Sequence, residues 1–381
     1  MVQLSRPRWR VAAIVTTLLA GLATVPTAAA SADEKHPGDS TPQVVASGLN
    51  NPRQVRWSDG ALYIAEAGVG GDGPCIPSPE GQACYGASGS ITRLKAGRQT
   101  RVVRGLPSIA AEGGNQAIGP SDVRVRGHRY SVLLGLGTDP KHRASLPAKG
   151  RKLGTLSTGR FGRSGLRVVA DVGAYEASEN PDGKQIDTNP VALLNRGRNN
   201  YIVDAGGNSL LSHNRYGGLR TRAVFPTVNV PAPGPTPPAG TPIQMDAVPT
   251  AAAYGPDGAV YVSQLTGFPF PVGGASIWRV VPGRTPTKYA TGLTNVTDLA
   301  FGRDGSLYAV QLADKGLLAG PSATGSVVRI PAGGGARHKT VADDLVAPYG
   351  IALHRGAAYV TTGSVLAGGG EVLRVPLHRV S

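Results

Sequence analysis

Six segments of the chain repeat one local pattern, and this repetition constrains the fold more than any other feature. Each segment has a short apolar stretch, a tight turn that usually contains glycine, and a second apolar stretch with a tyrosine at a fixed place. The repeats lie roughly 50 to 70 residues apart, which is longer than tetratricopeptide or leucine-rich repeats. The six tyrosines are Tyr63, Tyr130, Tyr201, Tyr261, Tyr308 and Tyr359.

A third and a fourth apolar stretch follow the tyrosine strand in the earlier repeats, but the sixth repeat has no fourth stretch before Ser381. An equivalent apolar piece, Gln43–Leu49, precedes the first repeat. Its pairing with Glu371–Val375 would close a ring and leave no exposed sheet edge. The pattern therefore predicts an all-β fold, a six-bladed β-propeller closed by an N-terminal outer strand. Independent β-modules or a sandwich are the alternative.

The first 32 residues have the layout of a secretory signal peptide. Three arginines precede an apolar stretch from Val11 to Ala23, and small residues follow up to Ala32. This stretch is too short for a hydrocarbon core of about 30 Å, so a membrane anchor is the less favoured alternative. We expect cleavage after Ala30 or Ala32 and a location in the extracellular space or cell envelope. The predicted organisation is signal peptide 1–32, flexible segment 33–42 and propeller 43–381.

The chain is basic, with 39 Lys and Arg against 24 Asp and Glu. Along the sequence the arginines stand singly, as at Arg93, Arg124, Arg167, Arg279 and Arg329, rather than in clusters with aromatic residues. This distribution disfavours nucleic-acid binding. The positive charge favours an anionic partner, which we expect to be an unknown small molecule or a polymer of the cell envelope.

Two cysteines, Cys75 and Cys84, lie in one long loop of the first repeat. In an exported protein, two cysteines this close in sequence predict one local disulfide. A zinc site would need further sulfur or histidine ligands nearby, and the surrounding sequence has none.

Polar residues at strand ends are candidates for a ligand site at the mouth of the central channel. In a propeller the tight turns mark one face, and here the long connections mark the other, where binding elements are commonly found. Carboxylates and amides from different blades would meet there as an oxygen-rich Ca²⁺ site. Alternatively, single Asp and Asn residues cap turns. The candidates are Glu66, Asp122, Asn189, Asp204, Asn208, Asn295 and Asp298.

The stretch Tyr175–Pro190 concentrates acidic residues in an otherwise basic protein. It contains Glu176, Glu179, Asp182 and Asp187. This composition suits a hard cation, but the spacing is not that of an EF-hand, and a solvated acidic loop is the favoured interpretation.

The stretch Leu265–Gly274 places Phe268 and Phe270 on a loop stiffened by proline. Two aromatic rings there predict either a wall for an apolar ligand or a plug against a neighbouring blade.

Motifs of nucleophilic or zinc-dependent hydrolysis are missing from the sequence, which has neither Gly-x-Ser-x-Gly nor His-Glu-x-x-His. We therefore expect a non-catalytic binding or scaffold protein. The alternative is a Ca²⁺-dependent lactonase-like hydrolase with its site at the channel mouth, which rests on architecture alone.

Several longer motifs resemble one family of exported propellers. GLNNPRQVRW, AYEASENPDG, VDAGGNSLL, LTGFPFPVGGASIWRVVPG and YATGLTNVTDLAFGRDGSLYAVQ are similar to the ScyD/ScyE family, and the similarity runs from about Gln43 to the C-terminus. The resemblance implies an NHL-like six-bladed fold and export, without a settled activity. Family members often have Glu where this chain has Gln264 and Gln311.

Overall fold

The structure is a computed structural model that describes residues 41–79, 81–197, 199–214, 216–320 and 323–377. The predicted signal peptide lies outside these residues, as does most of the segment 33–42. Both remain predictions.

The described residues form six four-stranded blades with a few additions. Strand β1 (Gln43–Leu49) precedes the first blade, which contains β2 (Pro52–Ser58), β3 (Ala61–Glu66), β4 (Cys75–Ser78), β5 (Gly81–Lys95) and β6 (Arg98–Ala110). The second blade contains β7 (Pro120–Arg126), β8 (Arg129–Leu134), β9 (Thr155–Arg160) and β10 (Arg167–Asp171). Helix α1 (Val172–Glu179) leads to the third blade, with β11 (Pro190–Arg196), β12 (Asn199–Asp204), β13 (Ser209–Asn214) and β14 (Gly218–Val224).

A hairpin of β15 (Val228–Pro231) and β16 (Pro242–Met245) separates the third and fourth blades. The fourth blade contains β17 (Pro249–Tyr254), β18 (Val260–Gln264), β19 (Ala275–Val280) and β20 (Thr287–Leu293). The fifth contains β21 (Val296–Phe301), β22 (Leu307–Gln311), β23 (Thr324–Ile330) and β24 (Lys339–Val346). The sixth contains β25 (Ile351–His354), β26 (Ala357–Thr362) and β27 (Gly370–Pro376). Short 3₁₀ helices occupy Glu112–Gly114, Pro140–Ser145, Gly150–Lys152 and Leu317–Ala319.

The N-terminal strand closes the ring as predicted. β1 pairs antiparallel with β27, and Gln43 lies opposite Arg374 while Leu49 lies opposite Gly370. Leu49 is fully buried, so the strand contributes apolar contacts as well as backbone hydrogen bonds. The prediction of a six-bladed propeller closed by an N-terminal outer strand is confirmed.

Four of the repeated tyrosines pack against an aromatic residue of the neighbouring blade: Tyr63, Tyr201, Tyr261 and Tyr359. The Tyr261 ring meets Phe301 of the fifth blade edge-on, with 4.9 Å between ring centroids. Tyr63 stacks on Phe161 of the second blade at 6.0 Å. Such contacts stabilise by roughly 0.5–1.5 kcal/mol beyond burial, so these tyrosines help to hold neighbouring blades together.

The connections divide between two faces. We call the face with the first-to-second and third-to-fourth strand connections the turn face, and the opposite one the loop face. Gly60, at φ 73°, and Gly305, at φ 77°, make tight turns on the turn face, where a side chain would be strained. Helix α1, the β15–β16 hairpin and the Cys75–Cys84 disulfide belong to the loop face.

The predicted disulfide is confirmed. Cys75 and Cys84 are bonded and lie opposite each other in the β4–β5 pairing. Among the residues that the structure describes, no helix is long and apolar enough to cross a bilayer.

Candidate functional site

Two of the predicted site residues meet inside the central channel, on either side of an arginine. Arg56 lies on the inner strand of the first blade and donates to Asp122 Oδ1 and Oδ2 at 3.0 and 2.8 Å. Its Nη1 donates to Asp298 Oδ2 at 3.0 Å. Both carboxylates are fully buried. Burial opposes the charge on Arg56, but the two carboxylates outweigh it and hold its pKa above the ordinary arginine value.

The same two carboxylates also connect neighbouring inner strands. Asp122 accepts a hydrogen bond from the backbone N–H of Leu193 in the third blade, at 2.8 Å. Asp298 accepts one from Ile351 in the sixth blade, also at 2.8 Å. The oxygens predicted to bind a cation are therefore engaged by an arginine and by backbone donors.

Glu66 is likewise fully engaged. It is buried at the end of β3 and forms an ion pair with Arg101 Nη2 at 2.7 Å. The hydroxyl groups of Ser90 and Thr92 donate to its Oε1, and the Asn50 N–H donates to its Oε2 at 2.8 Å. The carboxylate thus links the end of β3 to the residues that precede β2.

Asp204 occupies the corresponding position at the end of β12 and has the same kind of contact. Its Oδ1 accepts from the Asn189 N–H at 2.7 Å and its Oδ2 from the Thr188 hydroxyl at 2.6 Å. Gln311, at the end of β22, accepts from the Thr294 N–H at 2.7 Å. In each of these blades, the acceptor at the end of the second strand binds a backbone N–H group of the loop that leads into the first strand. This contact supports the alternative that these residues cap turns.

The remaining polar candidates also make local contacts. Asn208 donates to Asp182 at 2.9 Å and accepts from the Val248 N–H at 3.0 Å. The Asn189 side chain accepts from the Leu136 N–H at 3.2 Å. Asn295 donates to the Leu265 carbonyl at 3.0 Å.

Phe268 and Phe270 lie on the loop face with their rings edge-to-face, 6.3 Å apart. The Phe268 side chain is 40% exposed. Neither ring lines the two cavities described below. A role in ligand binding remains a prediction.

Three acidic side chains cluster near helix α1, and none of them forms an ion pair with a basic residue that the structure describes. Glu176 and Asp204 are buried, and a Cβ at Gly207 would lie 2.7 Å from Glu176 Oε2 and 3.4 Å from Asp204 Oδ2. Burial, with the charge of Asp204, raises the pKa of Glu176 to about 7. Burial likewise raises the pKa of Asp187 and of Asp204 to about 6.

This cluster does not form a ready-made metal site. Among the side chains with described positions, no three His, Cys, Asp or Glu residues are arranged to hold a metal ion. Burial makes these carboxyl groups harder to ionise than exposed ones.

A cavity with a volume of about 920 Å³ lies on the turn face. We call it the arginine pocket. Turns of the first three blades and the β9–β10 connection line it, so it spans blade boundaries. Its lining includes Trp57, Tyr63 and Tyr130 but no carboxylate. Seven arginines line the pocket: Arg56, Arg124, Arg126, Arg129, Arg160, Arg163 and Arg167.

The arginines differ in how they are compensated. Arg124 donates to the Leu193 carbonyl, and its Nη2 is 4.0 Å from Asp122, whose carboxylate already binds Arg56. Burial, reinforced by the charge of Arg56, lowers the pKa of Arg124 to about 10. The guanidinium groups of the five others have no hydrogen bond or ion pair with any described residue: Arg126, Arg129, Arg160, Arg163 and Arg167.

The fold thus brings together arginines that stand singly in the sequence, including Arg124 and Arg167. These arginines meet because strands and turns distant in sequence converge around the channel. One signal could have revealed it: residues 123–170 contain 11 Lys and Arg but a single acid, Asp139.

Known propellers share this architecture. No protein-family model matches the chain, and no curated protein matches it. A gluconolactonase from Xanthomonas campestris is 11% identical, with a TM-score of 0.51 over 89% of this chain and 91% of that one. A protein described as a putative oxidoreductase (glucose dehydrogenase) from Thermus thermophilus is 16% identical, with a TM-score of 0.50 over 88% and 99%. Virginiamycin B lyase from Staphylococcus aureus is 10% identical, with a TM-score of 0.45 over 89% and 99%. At these identities the first two likenesses establish the propeller fold alone.

Proposed function

We propose that this protein is an exported, non-catalytic propeller that binds an anionic ligand in the arginine pocket. The ligand carries several carboxylate, phosphate or sulfate groups, either on a small molecule or along a polymer of the cell envelope. The observation that carries the proposal is the convergence on one cavity of about 920 Å³ of seven arginines, of which five have no carboxylate partner among the described residues. The ScyD/ScyE resemblance is compatible with this role and remains part of the proposal.

The chemistry of the lining supports a ligand with both charge and an extended body. Arginine pairs with planar oxyanions through two parallel hydrogen bonds, which suits carboxylate and phosphate groups. The aromatic rings of Trp57, Tyr63 and Tyr130 add apolar surface between the charges. The volume is at the upper end of the roughly 300–1,000 Å³ typical of small-molecule pockets.

Binding of defined polyanions tests the proposal. Mature protein is titrated with polygalacturonate and with polyphosphate, with neutral dextran as the blank, and affinity is measured at several salt concentrations. We expect saturable binding to at least one polyanion and none to dextran. The double substitution Arg160→Gln/Arg163→Gln should weaken binding by about tenfold or more, because charge-assisted hydrogen bonds are lost.

A matched control separates the pocket from net charge. Arg284 and Arg337 are exposed arginines outside the pocket, so Arg284→Gln/Arg337→Gln removes the same charge elsewhere. Equal weakening by both double variants would refute a specific pocket. Tighter binding to single-stranded DNA than to either polyanion would favour a nucleic-acid partner instead.

A further inference from the structure

A second, small cavity lies at the loop-face mouth of the channel. Its volume is about 90 Å³, and its lining includes Arg53, Ser121, Asn189 and Tyr349. Since one water occupies about 30 Å³ in the liquid, the space corresponds to about three waters. This is room for one small polar group rather than for a whole drug-sized ligand.

Arg53 has little electrostatic compensation at this cavity. Its Nη2 donates to the Ala117 carbonyl at 2.6 Å, and its guanidinium lies 5.1 Å from the centre of the Tyr349 ring. In the described part of the chain it forms no ion pair with a carboxylate. Burial holds the pKa of Arg53 below the ordinary arginine value. A partly buried cation of this kind is expected to attract an anion.

The other polar groups of the cavity add donors rather than acceptors. The Asn189 side-chain oxygen already accepts from Leu136, which leaves its NH₂ group without a partner among the described residues. The Tyr349 hydroxyl has no described partner either. The Ser121 hydroxyl is used in a hydrogen bond to the Pro190 carbonyl at 2.9 Å. The cavity therefore offers unused N–H and O–H donors beside a positive charge.

From this cavity, its uncompensated arginine and its unused donors, we propose that the channel mouth binds one carboxylate group. The carboxylate pairs with the Arg53 guanidinium and accepts hydrogen bonds from the Asn189 side-chain NH₂ group and from the Tyr349 hydroxyl. It belongs either to a free small acid or to the end of a larger ligand whose body lies outside the cavity. This site is on the opposite face from the arginine pocket and does not depend on it.

Calorimetric titration of the full mature chain with sodium formate, against sodium chloride at equal ionic strength, tests the proposal. We expect saturable formate binding that chloride does not reproduce. Arg53→Met should weaken binding by at least about tenfold, because the charge-assisted pair is lost, while Arg53→Lys retains part of it. Arg284→Met, an exposed arginine outside both cavities, should leave the affinity unchanged.

Two further measurements keep the proposal falsifiable. If Arg53→Met fails to fold, Tyr349→Phe removes a single hydroxyl and should weaken formate binding by about fivefold. Saturating polyphosphate should leave formate affinity unchanged if the sites are separate. The proposal would be overturned if the protein did not bind formate, or if Arg53→Met and Tyr349→Phe both bound formate as tightly as the unsubstituted protein. Displacement of formate by polyphosphate would overturn it as well.

Discussion

Arg56 and Arg124 occupy the same position of neighbouring inner strands but have different electrostatic surroundings. Arg56 binds two buried carboxylates. Arg124 donates to the Leu193 carbonyl and lies 4.0 Å from Asp122, a carboxylate that already binds Arg56. A buried ion pair adds little stability by itself, yet removal of one partner leaves the others charged and unpaired. Arg56 is therefore a structural residue that also lines the pocket, and Arg124 is available to a ligand.

Arg56→Met is expected to destabilise the fold strongly. Asp122 and Asp298 would remain buried without their cation, at a cost of about 3–5 kcal/mol. Urea unfolding of both proteins measures the difference. Arg124→Met should cost much less, because it breaks hydrogen bonds to one carbonyl and no short ion pair. Equal stability of Arg56→Met and the unsubstituted protein would contradict the role assigned to the channel arginine.

Glu176 should make stability depend on pH in a direction opposite to that of an ion-paired carboxylate. Its pKa is raised from 4.5 to about 7 in the folded protein. The folded state therefore keeps a proton that the unfolded state loses, so this contribution is full below pH 4.5 and is lost as pH rises through about 7.

Glu176→Gln should accordingly stabilise the protein above neutral pH by roughly 1–3 kcal/mol and flatten the pH dependence. Thermal unfolding across this pH range provides the measurement. Glu179→Gln, on the exposed part of the same helix, is the matched control and should change little. A variant that keeps the full pH dependence would show that Glu176 is not the group responsible.

The important acids could be predicted from the sequence, but their partners could not. Asp122 and Asp298 were predicted to converge, and they do, but through Arg56 of the first blade. The repeat pattern places residues within a blade. It does not tell which arginine crosses the channel, because that depends on the rotation between blades.

At the scale of strands and loops, the repeated pattern predicted most of the architecture. The strand that completes the last blade was predictable because five repeats define what the sixth lacks. The arginine pocket was missed for the opposite reason. It is assembled from short turns of different blades and the β9–β10 connection, so no single element contains all of its arginines.

Deletion of Gln43–Leu49 is expected to lower the melting temperature markedly and to promote association. Without β1, the edge of β27 is exposed and the burial of Leu49 and Ala46 is lost. Thermal unfolding and size-exclusion chromatography measure the two effects. A variant that lacks only the residues up to 42 keeps strand β1 and is the control. An unchanged melting temperature in the longer deletion would show that the ring does not need this closure.

At the scale of the whole molecule, charge is distributed unevenly around the channel. Asp122, Asp298 and Glu66 form ion pairs with arginines, whereas the arginine pocket on the turn face holds five arginines that have no carboxylate partner among the described residues. A propeller holds such a distribution in place because its blades are fixed by neighbours on both sides. The two proposed anion sites lie at opposite ends of this arrangement, so each can be tested by substitutions that leave the other intact.

The same distribution predicts that chelation will have little effect on the protein. A calcium ion at the channel mouth would need Glu66, Asp122, Asp204 and Asp298, but three of these already bind arginine. Calcium would have to replace those ion pairs and the backbone hydrogen bonds that accompany them. We therefore expect EDTA to change neither the melting temperature of the protein nor its rate of lactone hydrolysis. A calcium-dependent rise in melting temperature, with turnover that EDTA abolishes, would instead favour the lactonase-like alternative.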